Sequence, residues 1–135
     1  MTRQQAAKKC PWNVAGISHN GIVLDAGATR TVLASEAGRC FVATGANNFT
    51  LPATADCEPG VQFIFQQIAD ANLVVTGETA GDIISRNNAA ADTLTFSTAS
   101  NKIGAAVQLE LIDSDGAGTL KWLARNLSDC TMVVA

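Results

Sequence analysis

Apolar and polar residues alternate with a period of two along short stretches of this chain. Thr93-Leu-Thr-Phe-Ser-Thr98 puts Leu94 and Phe96 on one face and hydroxyl side chains on the other. Gly104–Ile112 sets Val107, Leu109 and Leu111 against Gln108 and Glu110. Over residues 61–68, Val61, Phe63 and Phe65 share a side, and over 29–34 the set Thr29, Thr31, Leu33 opposes Arg30, Val32, Ala34. Shorter strand-like runs occupy 21–25, 39–44, 49–51, 72–76, 82–85, 119–123 and 131–135. Roughly ten short strands, spaced by roughly 8–14 residues and with no sustained helical period, predict an all-β chain: an antiparallel β-sandwich, or a jelly-roll or barrel-like domain.

The punctuation between these runs agrees. Pro52 cannot donate to a ladder, so the strand ending at Leu51 stops there, and Pro59-Gly60 marks a turn before the Val61 strand. Asp25-Ala26-Gly27 and Gly45-Ala-Asn-Asn48 read as turns, and Asp113-Ser-Asp-Gly116 as the turn of a hairpin whose second arm, Thr119–Leu123, returns antiparallel. Asn87–Asp92, small and polar, reads as a loop; a helix over 89–93 would be too short to matter. Residues 1–20 show no period, and Pro11 stops any helical turn begun at Gln4. The organisation expected is an extended N-terminal arm over 1–20 and a single β domain over 21–135, without an internal repeat of fixed period. The apolar C-terminus, Met132-Val-Val-Ala135, must be paired in a sheet or covered by another subunit.

Composition tempers the core. A chain of 135 residues suits one domain, but 23 of its residues are alanine, which buries little area, and tyrosine is absent. Subunit contacts are therefore expected to add stability. The net charge of −3 is uneven: Arg3, Lys8 and Lys9 make the first ten residues +3, leaving −6 for the rest. An acidic body argues against nucleic acid as a partner, since phosphate binding needs a basic face. No run approaches the roughly 20 apolar residues of a membrane helix, and residues 1–9 lack the apolar core of a secretory signal, so synthesis in the cytoplasm is expected. Cys10, Cys40, Cys57 and Cys130 are too far apart for a CxxC knuckle and read as free, mostly buried thiols; disulfides in a particle that leaves the cell are the alternative.

Candidate chemistry is sparse. His19 is the only histidine, and nothing places it in a nucleophilic relay or gives a cysteine a base. Asp113-x-Asp115-Gly116 lacks the later ligands of a calcium loop and is better explained as a turn. Asp82 and Asp92 carry no context for a carboxylate pair, and there is no phosphate-binding GxxxxGK. Trp12 and Trp122 could stack on sugars but are better read as core or interface anchors. No catalytic, cofactor or metal residue is nominated, and the chain is not expected to be an enzyme.

Several segments resemble the small all-β domains of tailed-bacteriophage virion proteins: Phe49-Thr-Leu-Pro-Ala, Gly60-Val-Gln-Phe-Ile-Phe, Gly81-Asp-Ile-Ile with the Thr/Ala/Asn-rich stretch after it, Ala105-Ala-Val-Gln-Leu-Glu-Leu, and Lys121-Trp122. Such domains occur as capsid decoration (cement) proteins and as fibre or tail-tip modules. The resemblance covers residues 48–124, and the 47 residues before it look like an added arm and lobe, favouring a standalone capsid-bound protein. It implies a homotrimer on the virion surface that bridges neighbouring major capsid subunits. Arg3, Lys8, Lys9 and Trp12 are the expected contacts with the shell, chosen for their chemistry and position rather than from a matched motif. A phage tail-fibre or receptor-binding module and a lectin-like carbohydrate-binding domain are the alternatives.

Overall fold

A computed structural model describes residues 21–25 and 27–135. They form twelve strands in two packed sheets, an all-β sandwich. The first sheet has seven strands in the order β1 (Ile22–Asp25), β3 (Cys40–Ala43), β5 (Gln62–Gln67), β10 (Ala106–Asp113), β11 (Leu120–Asn126), β7 (Ile83–Ser85), β8 (Asn88–Ala91). The second has five: β12 (Val133–Val134), β9 (Thr93–Phe96), β6 (Leu73–Thr76), β4 (Asn47–Thr50), β2 (Ala28–Thr31).

The sheets are mixed rather than purely antiparallel. β1 to β6 alternate between them, so every second strand returns to the same sheet in the same direction. β1, β3 and β5 are parallel neighbours, as are β2, β4 and β6. Three coils thus stack in register, with Ile22 beside Cys40 beside Ile64 in one sheet and Thr31 beside Thr50 beside Thr76 in the other. Parallel neighbours need crossovers rather than hairpins. Each crossover here runs through the opposite sheet, then back along a connection holding a single 3-10 turn, Ala34–Glu36 or Thr54–Asp56. Pro52 and Pro59-Gly60 punctuate the second of these; Gly60 has φ +96° and Val61 N–H donates to the Glu58 carbonyl at 3.2 Å. Where the coil turns from β1 to β2, Gly27 has φ +120°, and a Cβ there would lie 3.1 Å from the Ala46 carbonyl oxygen of the next coil.

From β7 onward the pairing is mostly antiparallel. β10 and β11 form the expected hairpin, with Leu111 opposite Trp122. Two findings depart from the sequence reading. Asn88–Ala91, read as loop, is strand β8, joined to β7 by Arg86-Asn87, both at positive φ (45° and 62°). That is the geometry of a type I′ two-residue hairpin. Asn47 and Asn48, read as turn, open β4. The C-terminal strand β12 pairs with β9 on one side only, and the Ala135 carbonyl accepts from the N–H groups of Asp92 and Thr93 at 2.6 and 3.0 Å.

The core lies between the sheets and is aromatic at the stacked coils. Phe65 meets Phe41 at 5.4 Å and, across the sandwich, Phe49 at 5.0 Å between ring centroids; Phe63 adds Trp122 at 5.7 Å. All five, and Phe96, are fully buried in one cluster with aliphatic residues such as Leu73, Leu94 and Leu109. Gln67 is also fully buried; its amide donates to the Gly45 carbonyl and accepts from Ala69 N–H, tying two stacked corners together.

Candidate interaction surface

The stack of coils has an open end. β1 and β2 are edge strands of their sheets, and among the described residues no strand pairs with their outer sides. On β1, the carbonyls of Gly21 and Asp25 accept from β3 and its extension, from Cys40 and Thr44 N–H. Since alternate residues of a strand direct their backbone groups to opposite edges, Ile22 and Leu24 present theirs to the open side.

The interior at this end is closed by charge. Arg30, on the inward-facing parity of β2, lays its guanidinium over the Phe41 ring at 5.2 Å. It donates to Glu36 Oε2 at 2.8 Å and lies 3.5 Å from Asp25 Oδ2. Glu36 is buried and also takes Arg39 at 3.3 Å and the Leu33 N–H at 3.1 Å. Asp25 accepts from Asn47 Nδ2 at 2.9 Å and Gly27 N–H at 3.2 Å. The Asn47 amide is the largest influence holding the Asp25 carboxyl below its ordinary range; burial opposes it, and Gly27 and Arg30 add to it. This lid covers the Phe41 ring, and both strand edges beside it are unpaired among the described residues.

The outer face of the seven-stranded sheet is divided. Across β5, β10 and β11 it is polar and interlinked: Gln62 donates to Glu110 at 2.7 Å, Gln108 to Gln62 at 2.9 Å, and Arg125 faces Glu110 at 4.0 Å. Towards β1 it becomes apolar, with Ile22 beside Cys40 and Ile64, and Leu24 beside Val42; Cys40 and Val42 are themselves buried, so the exposed apolar side chains here are those of β1. Ile22 and Leu24 are each 69% exposed. Ile68 and Leu127, just past β5 and β11, keep the same outward parity and are also exposed, but they lie two and four strands away from β1 and stand singly. Apolar residues scattered singly on a surface need no explanation; a group sharing one face beside an unpaired edge marks a contact surface.

Of the residues nominated from sequence, Arg3, Lys8, Lys9 and Trp12 lie outside the described residues, as do Cys10 and His19. The described chain begins at Gly21, one residue before β1. The apolar strip and the bare edges were not nominated; the signal available was the apolar run Ile22-Val-Leu24 with no polar alternation.

The remaining motifs are structural. Asp113 Oδ1 accepts from Gly116 N–H at 2.8 Å, and Asp115 Oδ1 from Ala117 N–H at 2.8 Å, so the loop's own amides occupy the carboxylates. These bonds, led by Thr119, lower the Asp115 carboxyl to about 2. Asp92 accepts from the Gly81 N–H at 2.7 Å, while burial raises the Asp82 carboxyl. Trp122 is fully buried and is a core anchor, not a sugar platform. Cys40, Cys57 and Cys130 are free thiols, the first two buried. No group of three or more metal-ligating side chains occurs among the described residues. No family model, curated protein or solved structure matches this chain.

Proposed function

We propose that this chain is a viral capsid decoration protein that stabilises a phage head by bridging neighbouring major capsid subunits as a homotrimer. One observation carries the reading: strand edges left unpaired among the described residues and the exposed side chains of Ile22 and Leu24 meet at one end of the sandwich. A protein that ties larger neighbours together needs such a surface and needs no catalytic centre. An unpaired edge accepts an extended segment through main-chain bonds, while Ile22 and Leu24 supply apolar area beside it. Three modest footholds, linked in one trimer, act at high effective concentration and hold the shell more firmly than any one alone.

The protein, mixed with undecorated capsids, is expected to saturate at a fixed ratio per shell subunit. Ile22→Ser/Leu24→Ser, which changes only exposed side chains, is expected to weaken capture at least tenfold while leaving the unfolding midpoint unchanged. Removal of residues 1–12 is expected to weaken it as well. Capture that neither change affects would reject this surface, and unsaturable or absent binding would reject the reading. A fibre or tail-tip module is the second reading, favoured by the stacking of three coils in register, which suits a body built end to end. It is expected to bind host cells and ignore empty heads.

A further inference from the structure

The outer edge of β1 is selective about what can pair with it. The carbonyls of Gly21 and Asp25 accept from the β3 side, so Ile22 and Leu24 hold the open-side N–H and C=O groups. Their side chains are each 69% exposed, and Val23 is the one apolar side chain that β1 packs against the core. A short apolar edge of this kind invites another strand.

The described chain starts at Gly21, beside this edge, and residues 1–20 precede it. The junction is Asn20-Gly21. Asn-Gly is the pair that most favours a two-residue type I′ hairpin turn, which needs positive φ at both central positions. Gly21 has φ +112°, close to the roughly +90° of the second central position. A Cβ built on Gly21 would meet nothing within 4 Å, so backbone conformation, not crowding, calls for glycine there.

Parity supplies an independent check. In a two-residue hairpin the residues flanking the turn exchange both main-chain bonds, as does every second pair beyond them. With Asn20-Gly21 at the centre these pairs are His19 with Ile22 and Ile17 with Leu24. Ile22 and Leu24 are the β1 residues whose backbone groups lie on the open side. Had those groups belonged to Val23 instead, the same turn would have offered its bonds to the wrong residues.

We propose that residues 14–19 of this chain occupy the β1 edge in the free protein, running antiparallel to β1 through an Asn20-Gly21 turn, as an autoinhibitory contact that any outside strand must displace. The composition suits a placeholder. Ser18 and Gly16 fall opposite Val23 and Asp25, the inward parity of β1, so the segment adds little apolar area to the core and main-chain bonds hold it. The inference concerns the free chain and stands whether the displacing strand belongs to a virus shell or to another partner.

The test is native-state hydrogen exchange on the full, isotopically labelled chain, read at single amides. An unpaired edge would leave the Ile22 and Leu24 amides exchanging at nearly the rate of unstructured chain; the paired edge is expected to slow both roughly tenfold or more. The Val23 and Asp25 amides, on the β3 side, are slowed in either case and serve as the control. Ile17→Pro removes the N–H that bonds the Leu24 carbonyl, so it is expected to restore fast exchange at Ile22 and Leu24 and to leave Val23 slow. Ser18 and Val23 form a non-hydrogen-bonded pair with Cα atoms about 4.5 Å apart, so an Hα–Hα nuclear Overhauser contact between them is expected. Fast exchange at Ile22 and Leu24 in the unaltered chain would overturn the proposal, as would protection that survives Ile17→Pro. Protection that rises with protein concentration would assign the edge to a second copy and overturn it too.

Discussion

Arg30→Ala examines the charged lid directly. The guanidinium is a third exposed, while its partner Glu36 is nearly buried at 8%. Removing it forfeits a cation–π contact worth about 0.5–1 kcal/mol at a partly exposed site. It also removes a charge-assisted bond of 2.8 Å to a buried carboxylate, worth about 1.5–3 kcal/mol. Arg39 and the Leu33 N–H remain on Glu36, so the loss stays below that of a carboxylate left alone. The expected cost is about 2–3 kcal/mol. For a body of this size about 1 kcal/mol lowers Tm by about 4 °C, so the melt should fall by about 8–12 °C. Arg125→Ala is the comparison: its pair with Glu110 spans 4.0 Å in the open and should cost about 0.5 kcal/mol or less. Urea melts of both variants, with unchanged m, provide the free energies, and Glu36→Gln alone and combined with Arg30→Ala isolates the pair by a double-mutant cycle. If Arg30→Ala melts within about 2 °C of Arg125→Ala, the lid does not close the core and the reasoning fails.

Phe65→Ala, at the centre of the ring cluster, is expected to cost about 3–5 kcal/mol by urea denaturation, and a loss near 1 kcal/mol would mean that the rings do not pack as described. Asp25 has a lowered folded pKa, so its contribution is fully present above the unfolded value near 3.8 and is lost as pH falls through the folded one. Asp25→Asn should flatten the stability profile within that acid window, as read by urea midpoints at stepped pH; an unchanged slope would contradict the Asn47 and Gly27 bonds. Burial raises the Cys40 and Cys57 thiols, with repulsion from Asp56 added at Cys57. Iodoacetamide should therefore label Cys130 before either in the native protein, as peptide mass spectrometry would show. Equal rates at all three would count against the buried placements.

Where a strand's neighbours are local, the pattern of residues was enough. The β10–β11 hairpin, the inward set Val107, Leu109, Leu111 and the pair Leu94, Phe96 follow from alternation alone, and all five side chains are fully buried. Parallel stacking of β1, β3 and β5 was not legible, because alternation orients side chains but does not choose a distant partner. The spacing between stacked residues also changes from Ile22–Cys40 to Cys40–Ile64, so no fixed repeat announces the coils. β8 was hidden by its composition: Asn-Ala-Ala-Ala has weak strand preference, and Arg86-Asn87 is an unusual pair for a type I′ turn. The alternation at 29–34 did place Arg30 opposite the threonines, but its role over Phe41 depends on a strand from the other sheet. The stacking of the coil corners is nonlocal in the same way, since Asn47 N–H donates to the Asn72 carbonyl at 3.0 Å only when successive corners meet.

The proposed bridging role rests on where this protein sits. A reconstruction of the particle that carries it measures that directly. The account expects the sandwich at the junctions between capsomers, in threes, with the β1 edge and the Ile22–Leu24 face turned onto neighbouring shell subunits. A particle whose shell lacks this density, or one that holds the sandwich with that face turned wholly to solvent, would contradict it.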